Sequence, residues 1–208
     1  MRREQEVGAV PRFPRQVEPA QEPGRFLEEF PIDGPLGFKL EAPPLHPVLF
    51  STTLQGWGEG HARLMKDFAN VQTNLALIRD GFHPDSQGGQ VRLRGDGSPV
   101  LDYPLNATFW EAARRALLAM AEIQFAAGAT WVTPVHERTS GYTSWAEARR
   151  GIAELALEPL ICRVVSAHVM GGCAMADAPE RGVVSDEGRH FQIENLSIHD
   201  GSVFPTSI

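Results

Sequence analysis

The 208-residue sequence predicts an α+β fold, an antiparallel sheet backed by helices, and three observations point there. Strand-like runs come in series rather than in strict alternation with helices. One pair of them brackets an Asp-Gly turn, and a long Ala- and Leu-rich helix comes after it. Hydrophobic residues make up 42% and charged residues 22%, a balance that buries a core and excludes a disordered tail. The formal net charge of −7 argues against a nucleic-acid or anionic-membrane surface, because binding phosphates needs a clustered positive excess. No apolar run reaches the ~18 residues that would span a bilayer. The N-terminus is charged but lacks the apolar stretch of a secretory signal. With two cysteines at most one bridge can form, so a reducing, cytoplasmic compartment is expected.

Residues 1–35 read as an extended or disordered arm. Pro11, Pro14, Pro19 and Pro23 each remove a backbone donor, and no regular element is expected there. Residues 36–163 read as one α+β domain. Gly37–Ala42 alternates as a short strand, which Pro43 and Pro44 interrupt. After GWGEG, the residues Leu64, Met65, Phe68 and Val71 recur at helical spacing. TNLALIRD reads as a buried strand ending at Asp80-Gly81. QVRLR and PVLDY flank Asp96-Gly97, whose residues accept the positive φ of a tight hairpin.

The longest helix is expected over residues 106–127, with Thr108 and Glu111 as a capping box and Gly128 just past its end. Trp131–Thr133 reads as extended. Ser144 and Glu147 repeat the capping-box pattern and open a second helix that stops before Pro159. Trp57, Trp110, Trp131 and Trp145 could line a substrate pocket, as large aromatics often do, but the expectation is core or interface anchors, since their spacing shows no pocket.

The segment 164–208 differs in kind. Val164-Val165 leads to His168-x-x-Gly171-Gly172-Cys173-x-Met175. A turn-bounded strand at Gly182-Val183-Val184 comes next, then a strand at NLSIHD ending on Asp200-Gly201. This ordered run, closing on Gly201-Ser202-Val203-Phe204-Pro205, resembles the C-terminal signature of the glucose-methanol-choline (GMC) oxidoreductase family. The hairpin and long helix upstream also resemble that family's substrate-domain sheet. The resemblance implies an FAD-dependent enzyme that oxidises alcohols, with the sheet of residues 73–103 as a wall for a small-molecule alcohol.

It implies that His168 lies near the flavin and accepts the hydroxyl proton, a task that suits imidazole with its ordinary pKa of about 6.5. It implies further that the backbone of Asp200, Gly201, Ser202 and Val203 touches the cofactor chain, where glycine permits close approach. The family's G-x-G-x-x-G fingerprint does not occur. Gly56-x-Gly58 meets His61 where a third glycine belongs. The family's further His or Asn, roughly half a dozen residues past the position of Pro205, falls beyond Ile208.

The chain is therefore expected to be the C-terminal part of a larger flavoenzyme, cut at both ends. The FAD-binding portion is then supplied from elsewhere, and the chain alone lacks a complete active site. The alternative is a catalytically inactive fragment or an interaction domain. Cys162, His168, Cys173 and His190 lack paired zinc-knuckle spacing, so no metal site is expected. Ser202, His168 and Asp200 lack the G-x-S-x-G elbow of a hydrolase. His46, His61, His83, His136, His190 and His199 have no comparable context and receive no role.

Overall fold

The computed structural model describes residues 2–12, 37–54, 56–78, 80 and 88–205. In chain order the elements are β1 (Arg2–Arg12), β2 (Phe38–Glu41), α1 (Pro47–Thr53), α2 (Glu59–Lys66), β3 (Asn74–Ile78) and β4 (Gln90–Leu93). Next come β5 (Pro99–Asp102), α3 (Ala107–Ala126), β6 (Trp131–Pro134), α4 (Trp145–Glu154) and β7 (Val164–Met170). Two 3₁₀ turns cover Phe68–Asn70 and Gly201–Val203. Helices and small antiparallel sheets make this an α+β fold. The larger sheet has the order β2-β3-β1-β6, with β7 also pairing β1, and β4-β5 forms a separate hairpin. Among the described residues no helix is long and apolar enough to cross a membrane.

Two compact units emerge from the backbone contacts. The first comprises Met1–Gln5, Arg79–Phe109 and Ser166–Ile208. The second comprises Glu6–Ile78 and Trp110–Val165. The second unit holds most of the core. β3 contributes Ala76, Leu77 and Ile78, and β6 contributes Val132. Along α3 the buried positions Ala112, Ala113, Ala116, Leu117, Met120 and Gln124 form one helical stripe. Alanine at so many of them lets the helix backbone approach its neighbours closely, and each large apolar side chain buried here is worth about 1.5–3 kcal/mol. A satellite cluster forms around Phe50 and Leu54, with Leu64, Met65 and Phe68 packed against them. The Phe50 and Phe68 rings lie 5.4 Å apart at a tilt of 55°.

Several elements depart from expectation. β1 occupies part of the arm whose composition predicts no regular element; residues 13–36 lie outside the described residues. Ala9–Arg12 pair antiparallel with Trp131–Pro134, with Pro11 opposite Val132, so a strand far along the chain supplies order that local composition does not. α1 has no counterpart among the expected elements. His46 caps it by accepting from the Val48 N–H, and Pro47 occupies the first turn, where its missing N–H costs nothing.

α2 ends at Lys66, short of the expected Val71, because the Asp67 N–H closes the last turn on the Arg63 and Leu64 carbonyls. α3 is capped by Asn106, whose Oδ1 accepts from the Phe109 N–H at 2.8 Å, in place of the expected Thr108. Thr108 lies inside the helix, one residue past its first position. The expected continuous sheet over residues 73–103 is split. β3 pairs with β2, while β4 pairs only with β5, with Val91 opposite Leu101. The strands expected at 182–184 and over NLSIHD are reduced to isolated bridges, Val184 with Met175 and His190, and Arg189 with Ser197.

α4 agrees with expectation. Ser144 accepts from the Glu147 N–H at 3.3 Å, while the Glu147 carboxylate turns back to Thr143. Its C-terminal end is closed by Arg114 of α3, whose guanidinium donates to the carbonyls of Ile152, Ala153 and Leu155, the last two at 2.9 Å. A cation at a helix C-terminus satisfies orphan carbonyls and opposes the negative end of the dipole. Arg114→Met keeps the aliphatic stem and removes all three bonds. Chemical denaturation is expected to show a loss of about 2 kcal/mol with an unchanged m value.

Candidate functional site

β7 carries His168 and is not a regular strand. A flat strand alternates its faces, but here exposure recurs with a period of three, leaving both His168 and Val169 outward. The cause is in the backbone. His168 has φ 39°, and it and Leu160 are the two non-glycine residues with positive φ among the described residues. A side chain held in this region costs on the order of 1 kcal/mol and persists only where neighbours over-determine it. The kink turns the imidazole out to solvent rather than into the sheet.

The residues just after β7 are tied to the C-terminal turn. The Cys173 N–H donates to the Ser202 carbonyl at 2.9 Å, and the Met175 N–H to the Val203 carbonyl at 2.8 Å. That turn is shaped by Asp200, whose Oδ1 accepts from the Ser202 N–H at 2.8 Å and from the Ser202 hydroxyl at 2.5 Å. These two bonds hold the Asp200 carboxyl below its ordinary pKa, the hydroxyl contributing first. A Cβ at Gly201 would stand 3.2 Å from the Val169 carbonyl, so this glycine lets the turn close against the strand beside His168. The structure thus brings His168, Asp200, Gly201, Ser202 and Val203 into one neighbourhood.

Only part of this turn is available to a ligand. The Asp200 carboxylate and the Ser202 and Val203 carbonyls already accept bonds from within the chain, while none is made by the Gly201 N–H among the described residues. The turn offers an open amide, and His168, Val169 and Phe204 are exposed. They do not amount to a phosphate cradle.

The remaining described histidines are committed elsewhere. His136 is buried, with Nδ1 accepting from the Arg138 N–H and Nε2 donating to the Ala156 carbonyl at 2.8 Å. His190 Nδ1 accepts from the Gln192 and Ile193 amides. His199 is exposed beside Gly188, with no strand face to point from. His83 lies outside the described residues. Burial pushes the Cys162 thiol up to about 11, so it stays protonated at neutral pH, whereas Cys173 is half-buried.

A second feature escapes sequence reasoning. Within the second unit a cleft of about 460 Å³ is lined by Trp57, His61, Leu64, Trp131 and Val135, among others. Trp57, expected as an anchor, is 91% exposed. The signal that marks it is its position between Gly56 and Gly58, a setting that packs poorly and turns freely.

Comparison with known proteins gives one family match and several relatives. Residues 84–208 match the C-terminal family model described as GMC oxidoreductase. A long-chain-alcohol oxidase of Arabidopsis thaliana is 30% identical over 179 residues, covering 81% of this chain and 23% of its own length. A cholesterol oxidase of Acinetobacter baumannii is 49% identical over 43 residues, 21% of this chain and 8% of its own. A GMC-type oxidoreductase of Sinorhizobium fredii is 28% identical over 162 residues, 76% of this chain and 30% of its own. The chain spans less than a third of the length of each of these relatives.

A carboxyl whose folded pKa is depressed stabilises its turn above the ordinary aspartate value and loses that contribution as pH falls through the folded value. The Ser202 amide resonance is therefore expected to titrate with a midpoint below about 3.9. Asp200→Asn should abolish that titration, and a midpoint at or above the ordinary value would mean that the turn bonds do not form in solution.

Proposed function

The chain belongs to the GMC oxidoreductase family as its C-terminal portion, and from that premise we propose that it serves an FAD-dependent oxidoreductase acting on CH–OH groups. The FAD-binding fold is supplied by sequence outside these 208 residues, on the same chain or on a partner. The observation that carries the proposal is the exposed imidazole of His168 on a strained kink, beside a turn hydrogen-bonded to the residues just after it. Backbone strain of this kind concentrates at working sites. The thin core supports the same view. Val184 is the one fully buried apolar side chain of residues 166–205, while Val169, Ile193, Leu196 and Phe204 remain exposed for a covering surface.

When bound, the flavin supplies the acceptor for the hydride that leaves the carbinol carbon. The residues of this chain would handle the hydroxyl proton and part of the cofactor's edge. His168, as neutral imidazole, accepts the hydroxyl proton as the C–O bond gains double-bond character. Its kinked backbone pre-sets the ring direction, so no reorganisation is needed when substrate arrives. The Gly201 N–H and the close-packed turn would hold the cofactor's edge, and Val169 and Phe204 would exclude water from it.

In the assembled, flavin-loaded enzyme His168→Ala is expected to lower kcat/KM by about 10²-fold or more, with flavin content near that of the parent. His168→Gln, which hydrogen-bonds but does not take up a proton, should be equally impaired and lose the acidic limb of the pH–rate profile. Retained turnover in both variants would remove His168 from proton transfer.

A further inference from the structure

We infer that the β4–β5 hairpin of the first unit is a docking arm for the FAD-binding portion of the enzyme. That portion adds a strand along the outer edge of β4 and covers the hairpin's apolar face. The occupant so named rests on the oxidoreductase reading above; the shape of the hairpin does not.

The hairpin is built to hold its form. At its tip the Gly97 N–H donates to the Arg94 carbonyl at 2.9 Å, with Gly97 at φ 80°. Asp96 Oδ1 accepts there from the Ser98 N–H at 2.9 Å and from the Ser98 hydroxyl at 2.7 Å. Its base is locked as well. A Cβ at Gly89 would stand 2.6 Å from the Asp102 carbonyl oxygen and from the Tyr103 ring, and the Tyr103 hydroxyl donates to the buried Asp80 carboxylate.

Between tip and base the two faces differ. Residues directly opposite in a ladder share a face, so Val91 with Leu101 and Leu93 with Pro99 form one side. Gln90 with Asp102 and Arg92 with Val100 form the other, which carries an ion pair from Arg92 to Asp102 at 3.0 Å. The first side is wholly apolar and open to water: Val91 is 58%, Leu93 73% and Leu101 54% exposed.

The backbone is unfinished in the same place. The Arg94 N–H donates across to the Ser98 carbonyl at 2.9 Å, and bonded pairs alternate along an antiparallel ladder. Arg92 and Val100 are therefore a bonded pair, while Val91 and Leu93 turn their N–H and C=O groups away from β5. Among the described residues β4 pairs with β5 alone. Pro99 guards the outer edge of β5, whereas β4 has no proline and its one charge, Arg92, is taken up by Asp102. An unguarded edge beside a bare apolar face is the form that accepts an added strand. A two-stranded hairpin is marginal in water, and a third strand with a covered face is what this one lacks.

Size selects the occupant. A face of four side chains falls well short of the ~800 Å² that each partner gives to a stable dimer, so it does not hold a second copy by itself. The hairpin lies inside the residues that match the family model, and the relatives extend far beyond the length of this chain. The surface large enough to cover it is the portion of such an enzyme outside these 208 residues.

The test is amide hydrogen exchange, resolved by residue, on the assembled flavin-loaded enzyme and on the 208-residue chain alone. In the assembled enzyme the Val91 and Leu93 amides are expected to exchange about 100-fold more slowly than in the chain alone, with a smaller change at Leu101 on the opposite edge. Leu93→Asp should lower the melting temperature of the assembled enzyme by about 5 °C or more and leave that of the chain alone within about 1 °C. Equal exchange of the two β4 amides in both samples, or equal melting shifts, would overturn the proposal. A dimer of the chain alone that Leu93→Asp dissociates would give the surface to a second copy and overturn it as well. Flavin absorbance of the assembled protein is read separately. Flavin bands with unprotected β4 amides strike the hairpin alone, whereas missing bands strike the oxidoreductase reading and the occupant named from it.

Discussion

Two backbone hydrogen bonds, from Cys173 to the Ser202 carbonyl and from Met175 to the Val203 carbonyl, are the constraint on which the candidate redox face depends. The residues around them have little hydrophobic core to hold them. Val184 alone is fully buried among the apolar side chains of 166–205. In such a segment the backbone bonds, together with the Asp200 carboxylate that shapes the turn, do the positioning that side-chain packing does elsewhere.

The second unit is built on the contrary principle. A long helix with alanine at its contact positions, a β3 strand buried at Ala76, Leu77 and Ile78, and an arginine closing the end of α4 give it a dense interior. Different local stabilities result from this difference. Segments held mainly by solvent-accessible backbone bonds open at lower free energy than those with packed cores. Function that needs a cofactor and a substrate to enter is better placed at the weaker end.

How far the sequence is legible tracks how local each signal is. The Asp96-Gly97 hairpin, the strand Asn74–Ile78 and the helix Trp145–Glu154 are readable because turn chemistry, apolar runs and capping residues lie within a few positions of the elements they determine. β1 is not, because its partner β6 is remote in sequence and its own composition argues against a strand. At the start of α3, Asn106 and Thr108 are both competent caps, and which one serves depends on where the preceding chain enters the helix. The candidate residues divide in the same way. A contiguous motif carries His168 and the Asp200–Val203 run, but the positive φ that aims the imidazole leaves no mark at a non-glycine position. The cleft is invisible for a stronger reason. Its walls come from the α1–α2 region and from β6, and no spacing rule relates Trp57 to Trp131. Exposure of a tryptophan is a property of the folded surface, not of the string.

The proposed proton transfer carries a solvation requirement. An imidazole that accepts a hydroxyl proton works best where water is absent, since water competes for the same acceptor and screens the charge that develops. A lipophilic alcohol brings its own desolvation, because its apolar body displaces water wherever it lies against aliphatic and aromatic walls. A hydrophilic substrate would have to be stripped of water by the protein, at the cost of many placed polar partners. Val169 and Phe204 are exposed apolar side chains of the same segment. An alcohol whose hydroxyl is its only hydrated part is desolvated at the least cost.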